Sequence, residues 1–128
     1  MATLNVNLTL TSTDISNNEA LNLSVSDELS VTDPFIGLAQ VAATTTGGDS
    51  IILAASSNVK YIYIKHTGVD AGGSAVTSTL KVESADGAHI QELHQDEFMF
   101  APIKASQLIQ LESSSGTIVA EYAFFTKV

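Results

Sequence analysis

The sequence contains no cysteine, no tryptophan and no arginine. Without cysteine, disulfide scaffolds and every thiolate-based zinc or redox chemistry are excluded, and the redox compartment stays open. Five lysines face fourteen carboxylates, for a formal charge of −9. Nucleic-acid binding is therefore disfavoured, because neutralising phosphates takes clustered bases. Only 15% of the residues are charged, against roughly 25% in an average domain. The 45% hydrophobic content argues against disorder, since disordered chains are poor in apolar residues. No stretch approaches the roughly 20 apolar residues of a membrane-spanning helix. The opening MATLNVNLTL has neither a basic region nor an unbroken apolar core, so no signal peptide is expected. The two N-x-[ST] sequons, at Asn7 and Asn22, are accordingly read as chance matches.

What the chain does have is period-two alternation. Its 128 residues suit one domain. In residues 3–11 the even positions Leu4, Val6, Leu8 and Leu10 alternate with Thr and Asn, which gives a strand with one apolar face. After a polar loop the apolar phase moves to Leu21, Leu23, Val25, Leu29 and Val31. Asp27 falls in that phase, so a bulge near residues 26–28 is expected to release its carboxylate from burial. The two stretches look alike, as half-buried strands of similar composition do. Residues 1–33 are read as an N-terminal two-strand segment and possible exchanged arm. Residues 34–128 are read as a β-sandwich core. The charge is also uneven: up to Asn58 there are six acids and no lysine.

Further along, Gly47-Gly48 suggests a positive-φ turn joining residues 35–46 and 50–55 as a hairpin. Val59 to Lys65 is largely apolar or aromatic in both phases, which predicts a central strand covered on both faces. Asp86-Gly87 is a two-residue hairpin signal. Residues 94–96 form a turn, residues 97–101 a short strand ended by Pro102, and residues 103–108 have room for one helical turn. Residues 108–112 and 117–126 read as a last hairpin around Gly116. Nine or ten strands with turn signals every 8–12 residues predict a single-domain all-β sandwich, with a jelly roll or related Greek key as the leading topology.

No reaction is announced. The segment His89-Ile90-Gln91-Glu92-Leu93-His94 spaces its residues as H-x-x-E-x-H, which matches neither zinc-protease motif. On a strand, His89 and His94 point to opposite faces, and a catalytic zinc needs a third ligand that His66 supplies only by a tertiary meeting. Asp96 and Glu97 sit in a turn. The glycine pairs at 47–48 and 72–73 lack the strand–loop–helix setting of phosphate loops. Tyr61 and Tyr63 share a strand face and suit either sugar stacking or cross-strand packing. The expectation is a non-enzymatic protein with no cofactor and no metal site.

The second half runs VKYIYIKHTG, STLKVESADGAHIQELHQDEFMFAPIKAS and LIQLESSSGTIVAEYAFF. It resembles small virion structural proteins of tailed marine and cyanobacterial phages. In those a Y-[IVL]-Y-[IV]-K-[NH] strand, an I-x-x-L strand, a G-E-F/W-x-F-x-P turn-strand and a closing V-E-Y-x-x-F/W recur. Here the elements fall at residues 61–66, 90–93, 96–102 and 120–125. Gln95-Asp96 replaces the more usual Pro-Gly, and Ala120 precedes Glu121. The resemblance implies a capsid decoration or cement protein, made in the host cytoplasm and located on the capsid surface of the virion. Its partners would be the major capsid protein and copies of itself, with a trimer favoured, and neither nucleic acid nor membrane. Leu4, Val6, Leu8, Leu10, Leu21 and Leu23 would then pack across subunits, with the N-terminal strands pairing to a neighbour's sheet edge. A tail- or fibre-associated receptor-binding or glycan-binding β-module is the alternative.

Overall fold

The computed structural model describes residues 2–16, 19–54 and 59–127. Among them the only helical element is a 3-10 turn, Gly47–Asp49. The rest of the regular structure is strand: β1 (Ala2–Ser16), β2 (Glu19–Ala43), β3 (Ile51–Leu53), β4 (Tyr61–His66), β5 (Leu80–Glu83), β6 (His89–Leu93), β7 (Phe98–Pro102), β8 (Ile109–Ser113) and β9 (Ile118–Lys127). The chain forms two compact units, Met1–Asp33 with Lys127–Val128, and Pro34–Thr126.

The first unit is an antiparallel hairpin of β1 and the first part of β2. Its register runs unbroken from Ala2 opposite Val31 to Ser12 opposite Leu21, with a shift only between Ser12 and Ser16. The bulge expected at residues 26–28 is absent: Asp27 lies in regular register opposite Val6. Its side chain is exposed and accepts the N–H of Glu28 at 2.8 Å. The carboxylate had no burial to escape.

The second unit is a sandwich of two four-stranded antiparallel sheets, ordered β2-β9-β4-β7 and β3-β8-β5-β6. Successive strands alternate between the sheets except at β5-β6. This connectivity is that of a jelly roll. The sequence reading of an all-β sandwich with that topology holds. Two of its local hairpins do not. β2 and β3 belong to different sheets, as do β8 and β9, so the Gly47-Gly48 and Gly116 turns carry the chain across the sandwich instead of folding it back within a sheet. Gly47 and Gly48 do not have positive φ, whereas Gly116 does, at +62°. Gly47 is needed for space: a Cβ there would lie 2.6 Å from Nε2 of Gln110 and 2.9 Å from Oε2 of Glu83. The Asp86-Gly87 hairpin forms as expected. It joins β5 to β6, with Gly87 at φ +70° and its N–H donated to the Ser84 carbonyl at 3.0 Å. Residues 103–108 hold a turn at Ala105 and Ser106, not a helical one.

The core lies between the sheets. Ile62 and Ile64 of β4, with Ala120 and Phe124 of β9, pack with Leu80 and Val82 of β5 and Ile109 and Leu111 of β8. All eight are at most 1% exposed, and burial of each large one stabilises the fold by about 1.5–3 kcal/mol. β4 buries every second residue, so only one of its faces is covered. The expectation of two covered faces fails because Tyr61, Tyr63 and Lys65 shelter among neighbours on an outer face that no third layer covers in this unit.

Candidate functional site

The hairpin register sets the first surface. In an antiparallel pair, residues directly opposite share a face. Leu4 faces Leu29, Val6 faces Asp27, Leu8 faces Val25, Leu10 faces Leu23 and Ser12 faces Leu21. The six residues singled out from the sequence, Leu4, Val6, Leu8, Leu10, Leu21 and Leu23, therefore lie on one side of the hairpin. Thr, Asn, Ser and Glu28 occupy the other. Val25 completes the exposed part of the row, and Leu29, at its end, is buried. Leu8 is 47% exposed, Leu10 46%, Leu23 39% and Val25 54%. Four large side chains so exposed and contiguous make this row a candidate contact surface. The hairpin carries five carboxylates and no base within residues 1–33. One of them, Asp27, sits inside the apolar row.

The second surface is the outer face of β9-β4-β7. Registers place Tyr61 between Pro102 and Phe125, Tyr63 between Phe100 and Ala123, and Lys65 between Phe98 and Glu121. Five of the chain's eight aromatic side chains meet here. Tyr61 stacks on Phe100 at 5.6 Å between ring centroids, and Phe100 meets Phe125 at 6.2 Å. Tyr63 and Phe98 are 6.4 Å apart. The Tyr63 hydroxyl donates to Oε1 of Glu121 at 3.1 Å. Burial first, and then this carboxylate, push the phenol above its ordinary pKa. Lys65 forms no ion pair among the described residues, and Phe98 is 62% exposed. The Tyr61–Tyr63 spacing was legible in the sequence. The contribution of Phe98, Phe100 and Phe125 was not, because it depends on which strands become neighbours.

The residues examined for catalysis are spread out. His89 pairs through Nε2 with Oε1 of Glu83 at 3.0 Å. Oε2 of Glu83 accepts from the Gln110 amide at 3.2 Å. Glu92 lies opposite Lys81, whose ammonium binds Glu112 at 2.8 Å. That contact raises the pKa of Lys81 and lowers that of Glu112. Glu97 accepts the backbone N–H of His94 at 2.8 Å and so closes the turn beside Asp96, which takes φ +66°. His66 is buried and satisfied at both ring nitrogens. Among the described residues no three His, Asp or Glu side chains gather as metal ligands. A cleft of about 430 Å³ opens between Asp70, residues 75–78 and residues 114–117. Hydroxyl groups dominate its lining, and Asp70 Oδ1 accepts from the N–H groups of Gly72 and Ser74 at 2.8 Å. Comparison with protein-family models, with curated proteins and with solved structures gave no match.

Proposed function

We propose that this protein is a non-enzymatic structural component of a phage virion, a capsid decoration or cement protein that works by self-association and by contact with the major capsid protein. The observation that carries the reading is the apolar row of the N-terminal hairpin. Leu8, Leu10, Leu23 and Val25 stand open to solvent, and a two-stranded hairpin is marginal without a covering partner. The cadence of residues 61–66, 90–93, 96–102 and 120–125 supports the virion setting. The polar faces are built of Thr, Ser and Asn, which meet a partner without the cost of desolvating charges.

Two measurements test the reading. Sedimentation velocity is expected to give an oligomer, a trimer in the favoured case, that Leu8→Ser with Leu23→Ser dissociates. Mass spectrometry of gradient-banded virions is expected to find the chain in the particle. A monomer up to about 0.1 mM, a concentration above most specific affinities, together with absence from purified particles, would reject it.

The second reading is a tail- or fibre-associated module that binds glycans. The hydroxyl-lined cleft at Asp70 favours it, because a carboxylate among hydroxyls suits a polyol. Sugar affinity lost on Asp70→Ala, with no affinity for capsids, would select this reading.

A further inference from the structure

We infer that the apolar face of the hairpin docks on the aromatic outer face of β9-β4-β7 in a second copy of the chain, with Asp27 opposite Lys65. The inference rests on the self-association proposed above and names its two surfaces.

Three observations carry it. The first is charge. Asp27 is the one charged residue in the apolar row, opposite Val6 and beside Val25. Lys65 is the cation flanked by Phe98 and Glu121 in the aromatic patch, and Glu121 is engaged by Tyr63. Neither Asp27 nor Lys65 has an ion-pair partner among the described residues. Each is therefore a charge that burial would penalise unless the partner surface answers it, and each surface offers the charge the other lacks.

The second is what the charge rules out. Packing two apolar rows face to face about a two-fold axis would bring Asp27 of one copy toward that of the other, with no base in residues 1–33 to answer either. Like charges brought together at an interface oppose association. The hairpin therefore favours an unlike surface. Contact of unlike surfaces closes as a reciprocal two-fold exchange of hairpins or, head to tail, as a ring, according to the rotation between copies.

The third is shape and chemistry. From Val6 to Leu10 the row spans about 13 Å at strand rise, the same as Tyr61 to Lys65 on β4. Branched aliphatic side chains on a strand pair against tyrosine and phenylalanine rings are a favourable combination. Phe98, exposed and next to Lys65, is the natural anchor for Leu8 and Val25.

The chain has no cysteine, so a clean cross-link tests the contact. Asp27→Cys protein and Lys65→Cys protein are mixed under mild oxidation. A disulfide-linked heterodimer, absent from either variant alone, is expected. In parallel, Asp27→Lys and Lys65→Glu are each expected to weaken association about tenfold or more, and the two together to recover most of it. Circular dichroism confirms that each variant folds. Dimers of Asp27→Cys with itself, or a double swap that restores nothing, would overturn the docking while leaving self-association in place. A wild-type chain that is monomeric throughout would remove both.

Discussion

Gly68 donates its backbone N–H to Nδ1 of His66 at 2.9 Å, while Nε2 of the same ring reaches the Ser78 carbonyl at 2.9 Å. With Nδ1 accepting, Nε2 carries the hydrogen and donates it. The buried imidazole thus acts as a pin between the end of β4 and the segment before β5, and replaces backbone pairing there. Leucine in its place would leave one donor and one acceptor unpaired in the core. His66→Leu is expected to cost about 2–4 kcal/mol. Thermal unfolding should fall by on the order of 10 °C, and a shift of only a degree or two would show that the ring contributes packing alone.

Gly68 itself takes φ +83°, and a Cβ there would lie 2.8 Å from Oδ1 of Asp96. Gly73 takes φ +87° with nothing within 4 Å. Alanine at either position pays the left-handed penalty of roughly 1–2 kcal/mol, but only Gly68→Ala also meets a neighbour. Chemical denaturation should place Gly68→Ala below Gly73→Ala in stability. Equal losses would mean that Asp96 swings aside freely.

Gly47→Ala presents a different problem, because its backbone is unstrained. The new methyl would collide with the Gln110 amide and with Glu83, and overpacking of this kind costs about 1–3 kcal/mol. Shortening the obstacle should relieve it. Gly47→Ala with Gln110→Ala is expected to recover part of the loss in urea midpoint, and strict additivity of the two changes would contradict the contact.

The Lys81–Glu112 pair sets a pH dependence with two limbs. The Glu112 carboxyl is held below its ordinary pKa, first by the hydrogen bond from Lys81. Its contribution is present above the unfolded value and is lost as pH falls through the lowered folded one. Lys81 is held above its ordinary value, first by the same bond, so its contribution is present below the unfolded value and is lost as pH rises through the raised one. Glu112→Gln should flatten the acid limb, below about pH 4. Both partners are partly exposed, and about 0.5 M salt should shrink the effect. An unchanged profile would show that the bond is not held in solution.

The apolar face of the hairpin and much of the strand inventory were legible because alternation at Leu4, Val6, Leu8 and Leu10 states a face directly. The turns were not. Gly47-Gly48 and Gly116 look like hairpin turns because the same small residues serve a reversal within one sheet and a step to the other; only partners distant in sequence separate the two. Asp27 misled for a related reason. Its phase forecast burial, but its own side chain is exposed in regular register although Leu29 in the same row is buried, so no bulge was needed. Asp96 went the other way. It takes the left-handed φ, a conformation Asp tolerates. For the candidate site, phase alone found the aliphatic row. The aromatic patch emerged only once β4 lay between β7 and β9.

The pairing of β2 with β9 also bears on how the molecule comes to be. These are the outermost strands of the sandwich in chain order, so one sheet stays incomplete until β9 arrives. Loop-closure entropy on that scale is unfavourable and makes such folds slow. During synthesis the aliphatic hairpin leaves the ribosome before the later strands of the sandwich, an apolar surface ahead of its core. The five carboxylates of residues 1–33, with no base among them, oppose contact between nascent copies at that stage.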